Sequence, residues 1–469
     1  MQHHTTYRRR PRYLWTILSL LVVVLAGSPW LCRAEEPAPN FTLQSSIEHA
    51  LQNSTQVLSA IEGVGAAEAN KKKQFTEFLP KLSADYTYRR ADGETSLNGF
   101  VINPEDLHEF TATARQPIFS GFSRLTQYDI SALGLDIAEL VEQETRQDLI
   151  LQVKTAYFEI LQKEKLEKVA QQAVTQLQAQ SNVSKNFYEV GMVPKNDFLQ
   201  AQVELANTQQ DLVVAQNNVQ LARSRFNTVL RRPVDAAFTI EDVLAYEVFT
   251  RTYEDSVETA MEQRTEMKVA DLEVETAEKE VRLTKSDYYP AIDLLANYYK
   301  RGKDFSLDGG EGILKEEEWD VMAVASWTFF EWGKTRYGAQ EKMRRVNQAR
   351  LNRTSVEDNI RQQVKGAYLT VKAAETAVTT VEKAVEQAKE NYRMNEERYK
   401  EQIATSTDML IAQTLLTQTQ NNYYNALSAF NDCNLWVFLV YLLLVNIELV
   451  ASRDRIRLGR NGSCRGPRQ

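Results

Sequence analysis

Apolar residues recur at alternating steps of three and four along most of this chain. One such run extends from Ile360 to Tyr392, and two shorter runs extend from Ala201 to Phe226 and from Ala412 to Phe430. This spacing places the apolar residues on one face of a helix and is typical of left-handed coiled coils. No proline lies between Pro117 and Pro194, so a continuous helix is predicted over Phe122–Glu189, about 100 Å long.

Four short segments instead alternate apolar and polar residues with a period of two, which predicts β-strands. Each is about 10 residues long and has aromatic residues near its ends, as in strands that cross an outer membrane. Polar loops, 91–108 and 301–318, separate the two members of each pair. The apolar rows of the four segments are Leu82–Tyr88, Phe110–Ala114, Ile292–Tyr298 and Trp319–Phe329.

The chain is an internal duplication with a nearly constant offset. Early matches such as Pro80 with Pro290 are 210 residues apart, and after one inserted residue the offset becomes 211. Two similar coiled coils would explain matched apolar residues but not matched polar ones. The polar matches at an offset of 211 are Lys154 with Lys365, Asp197 with Asp408 and Gln202 with Gln413.

The first 34 of the 469 residues resemble an export signal. Four arginines precede an apolar core that begins at Leu14, and cleavage is expected after Ala34. An uncleaved anchor helix and lipidation of Cys32 are the alternatives. Removal of the signal leaves Cys433 and Cys464, too few for a disulfide framework, so stability must come from packing.

The charge pattern excludes several classes of protein. Arginine is concentrated in the first 34 and the last 19 residues, and the body between them is acidic, which disfavours nucleic-acid binding. The four histidines do not cluster with cysteines, so no metal site is expected. No nucleophile elbow, phosphate loop or dinucleotide fingerprint occurs, so neither a cofactor nor an enzymatic activity is expected.

In order along the chain, these segments resemble the TolC-type outer-membrane efflux proteins from Phe41 to Asp432. The opening helix at Leu43 is followed by Leu79-Pro80-Lys81-Leu82 at the first strand. Each repeat also has a short segment where the chain leaves its second strand. These segments are Phe119-Ser120-Gly121-Phe122 and Phe330-Glu331-Trp332-Gly333. Each motif is weak alone, but their order and their duplication are specific.

The resemblance implies a mainly α-helical chain with membrane β-strands, in which duplicated coiled-coil hairpins accompany four strands. Four strands cannot close a barrel, so it implies a homotrimer with a shared 12-stranded barrel, continued by an α-helical barrel in the periplasm. The expected divisions are a signal peptide at 1–34, a first repeat at 35–230, a linker at 231–251, a second repeat at 252–432 and an atypical tail at 433–469. The expected location is the outer membrane of a Gram-negative bacterium.

The expected function is a passive exit duct for efflux or type I secretion. Its partners would be a periplasmic adaptor, an inner-membrane transporter and outer-membrane lipid. The turn at Val190, Gly191 and Met192 resembles the helix tip that docks the adaptor, while Tyr399 and Asp408 resemble residues of the periplasmic gate. Asp197, the equivalent of Asp408, is expected in the first turn of a helix, where the helix dipole favours a carboxylate.

Three features depart from the family pattern. The second tip, Tyr399–Ala404, lacks the expected glycine, and Ile411 occupies the position of a second gate acid. The tail after Asp432 matches nothing in the family and could be an anchor or a rearranged terminus. The alternatives to a duct are a structural coiled-coil envelope protein without transport activity, which would not need the strand pairs, and the periplasmic adaptor, which has a single hairpin. A small soluble sheet with one buried face remains an alternative for the strands.

Overall fold

A computed structural model describes residues 39–98, 100–246 and 248–441. The export signal, Cys32 and most of the tail lie outside the described residues. The first repeat contains β1 Asn40–Phe41, α1 Leu43–Asn53, α2 Thr55–Thr76, β2 Lys81–Arg90, β3 Thr95–Leu97, β4 Phe100–Asn103, β5 Asp106–Ser120, α3 Ser123–Glu189 and α4 Lys195–Val229. After β6 Thr239–Ile240 follow α5 Tyr253–Gln263, α6 Thr265–Lys285, β7 Ala291–Gly302, β8 Glu317–Ser326, α7 Lys334–Lys400 and α8 Ser406–Tyr441.

The expected mainly helical fold with strands is confirmed, and its elements follow the duplication. Helices α3 and α7 are both 67 residues long and begin 211 residues apart. Helices α1 and α5 are both 11 residues long and begin 210 residues apart. The coiled-coil residues that the heptad pattern predicts are buried or half-buried in each hairpin. The two halves therefore share one local structure.

The element boundaries differ from the sequence expectation in three places, two in the strands and one at a helix. The expected polar loop 91–108 contains the short hairpin of β3 and β4. Strand β8 ends at Ser326 rather than at Phe329. The long helix begins at Ser123, because Phe122 has a left-handed φ of 68° that precedes the first helical turn.

A compact hydrophobic cluster joins the first hairpin to the linker. Strand β1 pairs in parallel with β6, which brings Phe41 against Phe226 and Phe238. The buried Tyr157 hydroxyl donates to the Glu241 carbonyl at 2.7 Å and accepts from the Glu241 amide at 3.0 Å. The linker is thus fixed to the middle of α3. The sheet lies at one end of this helix and the hairpin tips lie at the other.

Both hairpin tips fold by the same set of backbone hydrogen bonds. In the first, the Gly191 amide donates to the Tyr188 carbonyl and Met192 to Phe187; in the second, Gln402 donates to Tyr399 and Ile403 to Arg398. This is a Schellman motif, which requires a left-handed residue after the helix. Gly191 supplies it with a φ of 75° and Gln402 with a φ of 62°, so the second tip forms without glycine.

Candidate functional site

Strands β2, β5, β7 and β8 form one antiparallel sheet in that order, and its register aligns the predicted apolar rows on a single face. Ala84, Ala112, Tyr298 and Trp319 face one another across the four strands. The next row is Leu82, Ala114, Ala296 and Val321. The four separate alternations in the sequence therefore combine into one continuous apolar surface.

The opposite face of the same sheet is polar and is crossed by ion pairs. Arg115 of β5 contacts Asp293 of β7 at 2.6 Å, and Asn297 donates to Asp320 of β8 at 2.9 Å. Arg301 connects three strands, because it pairs with Glu318 at 3.0 Å and with Glu109. A strand that is apolar on one face and polar on the other is characteristic of membrane barrels with a watery interior.

The apolar face of the sheet is uncovered in the described part of the chain. Leu82 is 81% exposed, Trp319 is 74% exposed and Val321 is also exposed. A small soluble sheet would bury this face against helices, so that alternative is not supported. None of the helices among residues 39–98, 100–246 and 248–441 combines the length and apolar character needed to cross a membrane.

The residues of the first tip lie together at the end of the hairpin, as expected from their sequence. Val190 and Met192 flank Gly191, and the side chains of both are exposed. The second tip lies beside the first, since Gln402 Nε2 donates to Met192 Sδ at 3.1 Å. Ile403, which the sequence analysis did not select, is 69% exposed and is the counterpart of Met192 at an offset of 211.

The two residues expected at the gate have different surroundings. Tyr399 is 3% exposed, and its hydroxyl hydrogen-bonds Ser184 Oγ at 2.9 Å, with the Phe187 ring 5.8 Å away. Tyr399 therefore joins the two hairpins of one chain. Asp408 is exposed at the start of α8.

Asp408 also forms a capping box, which the sequence analysis had not assigned to it. Its Oδ2 accepts from the Thr405 amide at 2.9 Å and from the Thr405 hydroxyl at 2.7 Å, while its own amide donates to Thr405 Oγ1. These hydrogen bonds stabilise the carboxylate and lower the pKa of Asp408 in the single chain. Asp197 lies in the first turn of α4, where its amide donates to the Pro194 carbonyl.

A polar groove between α2 and α3 lies away from the tips and measures about 590 Å³. Burial and the nearby Glu266 raise the pKa of Asp148, which lines this groove. No three side chains of His, Cys, Asp or Glu form a metal-binding group within the described ranges. The other lining residues are Thr55, Gln56, Ser59, Ala60, Thr145 and Gln152.

Solved structures of outer membrane proteins share this fold. VceC from Vibrio cholerae matches with a TM-score of 0.72 and 17% identity over 85% of this chain and 95% of its own. The CmeC channel of Campylobacter jejuni matches with a TM-score of 0.66 and 17% identity over 85% of each chain. The open state of MtrE from Neisseria gonorrhoeae matches with a TM-score of 0.61 and 18% identity over 85% of this chain and 88% of its own.

The sequence itself matches the family model of the outer membrane efflux proteins at residues 46–230 and 257–432. No curated protein matches the chain in sequence. The two matched segments coincide with the two halves that contain equivalent helices and strands. They cover well over half of the chain, which therefore belongs to the outer membrane efflux protein family.

Proposed function

We propose that three copies of this chain form an exit duct through the outer membrane for efflux or secretion. The observation that carries the proposal is the four-stranded sheet, whose apolar face is uncovered and whose two edge strands have no neighbour within the described residues. The apolar face would contact lipid and the polar face would line a water-filled passage. The chain needs no catalytic residue for this role.

The edges of the sheet require additional strands. The backbone of β2 and β8 has unpaired N–H and C=O groups along one side, and such groups are not tolerated in hydrocarbon. Since four strands cannot close on themselves, other copies must supply the missing partners. Three copies give twelve strands, an even number within the range of outer-membrane barrels.

The helices extend the passage away from the membrane. Within one chain α4 packs on α3, α3 on α8 and α8 on α7. Helix α7 also packs on α5 and α6 over the part of its length nearer the sheet. At 1.5 Å per residue, α3 and α7 each reach about 100 Å towards the inner membrane, where an adaptor and a transporter would supply the cargo.

The alternative, a structural coiled-coil envelope protein, accounts for the helices but not for the sheet. A filament has no use for four strands with an apolar and a polar face. The two functions therefore differ in a measurable property, the passage of ions across a bilayer.

We expect the chain to sediment with outer membranes when cells are fractionated. After purification, it should migrate as a trimer following chemical crosslinking and should conduct ions in planar bilayers. A soluble monomer, or a membrane protein without conductance, would contradict the duct and favour the structural alternative. As a control for the sheet, Val321→Lys places a charge on the apolar face and should reduce insertion by more than about tenfold, because a charge in the bilayer core costs about 2–4 kcal/mol.

The hairpin tips form the surface that we propose for docking the adaptor. Val190, Gly191 and Met192 lie at the far end of the first hairpin from the sheet, and Ile403 of the second tip lies beside them. Exposed apolar side chains at a rigid turn suit a hydrophobic contact with another helical tip. The shared turn geometry extends the surface to both repeats.

A photocrosslinking amino acid at position 192 or 403 should capture the periplasmic adaptor in cells. The matched control is position 351, because Leu351 is also exposed but lies on α7 far from the tips. Capture from 351 with none from 192 would show that the adaptor binds elsewhere.

The periplasmic gate is proposed to include Asp408 and Tyr399. Three Asp408 carboxylates brought near one axis would attract cations, and their mutual repulsion would raise the pKa that Thr405 lowers in the single chain. Ile411 follows on the same exposed face of α8, where a second acid would have strengthened this ring. One charged ring is therefore expected.

Asp408→Asn should reduce the cation preference of single channels severalfold and relieve block by multivalent cations. The amide oxygen can still accept the Thr405 hydrogen bonds, so the variant tests charge rather than the cap. In the chain without substitutions, the Asp408 carboxylates are ionised above their pKa. The cation preference should therefore fade as the pH falls through that pKa. Asp197→Asn is the matched control and should conduct normally; equal effects of both variants would remove Asp408 from the gate.

A further inference from the structure

The two ends of the sheet carry opposite charge. At one end the strands are joined by the connections 91–105 and 303–316, which contain two basic and seven acidic residues. At the other end each strand joins a helix. These four connections, each taken with the adjoining four helical residues, contain six basic and three acidic residues. The connections are residues 77–80, 121–122, 286–290 and 327–333.

The positive charge is confined to a single level of the molecule. In the next four residues of each helix, away from the sheet, four acidic residues outnumber three basic ones. The six basic residues therefore form a band where the helices meet the sheet, here named the basic collar. Its members are Lys73, Arg124, Arg282, Lys285, Lys334 and Arg336.

Most cations of the basic collar remain available for a further anion. Lys334 pairs with Glu331 at 3.5 Å, whereas the other five form no ion pair with residues that the structure describes. All six are exposed except Arg124, which is half-buried. At the loop end of the sheet, by contrast, Lys303 and Lys315 both lie in ion pairs with glutamates.

An aromatic rim continues the apolar face of the sheet as far as the basic collar. Phe119 lies opposite Ile292 of the apolar row, and its ring centroid is 5.4 Å from that of Phe122. The Phe122 ring lies 6.0 Å from Tyr289, and Trp327, which follows the apolar row of β8, is exposed. Such aromatic side chains lie at the level of the lipid headgroups in membrane proteins. The basic collar begins within one helical turn of this rim, at the level of the lipid phosphates.

We infer that the basic collar binds anionic phospholipid headgroups of the leaflet that faces the periplasm. The inference rests on the proposed membrane sheet and names the lipid that its helical end selects. Each phosphate accepts charge-assisted hydrogen bonds from a Lys or Arg of the collar, while its acyl chains pack against the aromatic rim. The acidic loop end of the sheet repels the same headgroups, so only one leaflet is bound.

The net charge of -8 does not oppose this binding. Interactions between exposed charges are largely screened beyond about 8–10 Å at physiological ionic strength, so the local charge at the membrane surface decides. Basic segments next to an anionic lipid surface are attracted to it for this reason.

The test counts the lipids that the trimer retains in detergent, by native mass spectrometry. When phosphatidylglycerol, which is anionic, and phosphatidylethanolamine, which is zwitterionic, are supplied equally with the same acyl chains, about fivefold more of the first should be retained. Both lipids contain a phosphate, so the comparison isolates the net charge of the headgroup. Inorganic phosphate at the same concentration should not displace them, because it lacks the acyl chains that contact the rim.

A collar variant removes four exposed cations and should lose the preference for phosphatidylglycerol. Glutamine is used because it removes the charge and favours a helix about as well as lysine or arginine. The substitutions are Lys73→Gln, Arg282→Gln, Lys285→Gln and Arg336→Gln. The matched control removes four exposed lysines of the hairpins, which likewise form no ion pair with described residues, and should keep the preference. Its substitutions are Lys168→Gln, Lys195→Gln, Lys383→Gln and Lys389→Gln.

Equal retention of the two lipids by the trimer without substitutions would overturn the inference, and this comparison does not depend on any variant folding. An equal loss of preference in the collar variant and the control would also overturn it. So would a collar variant that keeps the preference but conducts ions with altered selectivity, since its cations would then face the water-filled passage. The duct itself fails only if the chain without substitutions forms no conducting trimer.

Discussion

Unpaired backbone groups on strands β2 and β8 impose the main constraint on this protein. The sheet carries an apolar face that no described element covers, and lipid is the environment that suits such a face. Lipid, however, offers no hydrogen bonds to an open strand edge. In the proposed duct, a single chain therefore cannot complete its own structure, and the assembly and the passage depend on how the edges of the sheet are paired.

The duplication divides each chain into two halves with the same local structure. Each repeat contributes two strands of the sheet and one long hairpin. The two tips also share one turn geometry, since Gln402 takes the left-handed conformation that Gly191 has in the first repeat. Such a backbone costs about 1–2 kcal/mol more for a residue with a side chain, and the surrounding hydrogen bonds must offset it.

Much of the fold could be predicted from the sequence, because its strongest signals are periodic. The heptads predicted both long hairpins, and the alternating rows predicted the four principal strands. The register between strands could not be predicted, since each row alone does not show which residues of its neighbours it faces. The hairpin of β3 and β4 was missed because Thr95–Leu97 and Phe100–Asn103 are too short for a pattern.

The candidate site was less predictable for a related reason. Turn residues at Val190–Met192 break the helical pattern and can be found in a sequence. The surroundings of Tyr399 and Asp408 depend on distant or structural partners: Ser184 lies 215 residues before Tyr399, and the bond of Asp408 to Thr405 requires the helix to begin at Ser406. Ile403 was overlooked because the second tip lacks glycine, although its turn is the same.

The central claim, that one face of the sheet meets lipid and the other meets water, can be measured by fluorescence quenching in vesicles. Single-tryptophan chains would retain Trp319 on the apolar face or carry Val324→Trp on the polar face, with phenylalanine at the other tryptophan positions. Bromine-labelled phospholipids should quench Trp319 strongly and residue 324 weakly, and aqueous iodide should show the reverse order. Equal quenching of the two positions by lipid, or quenching of Trp319 by iodide alone, would contradict the account.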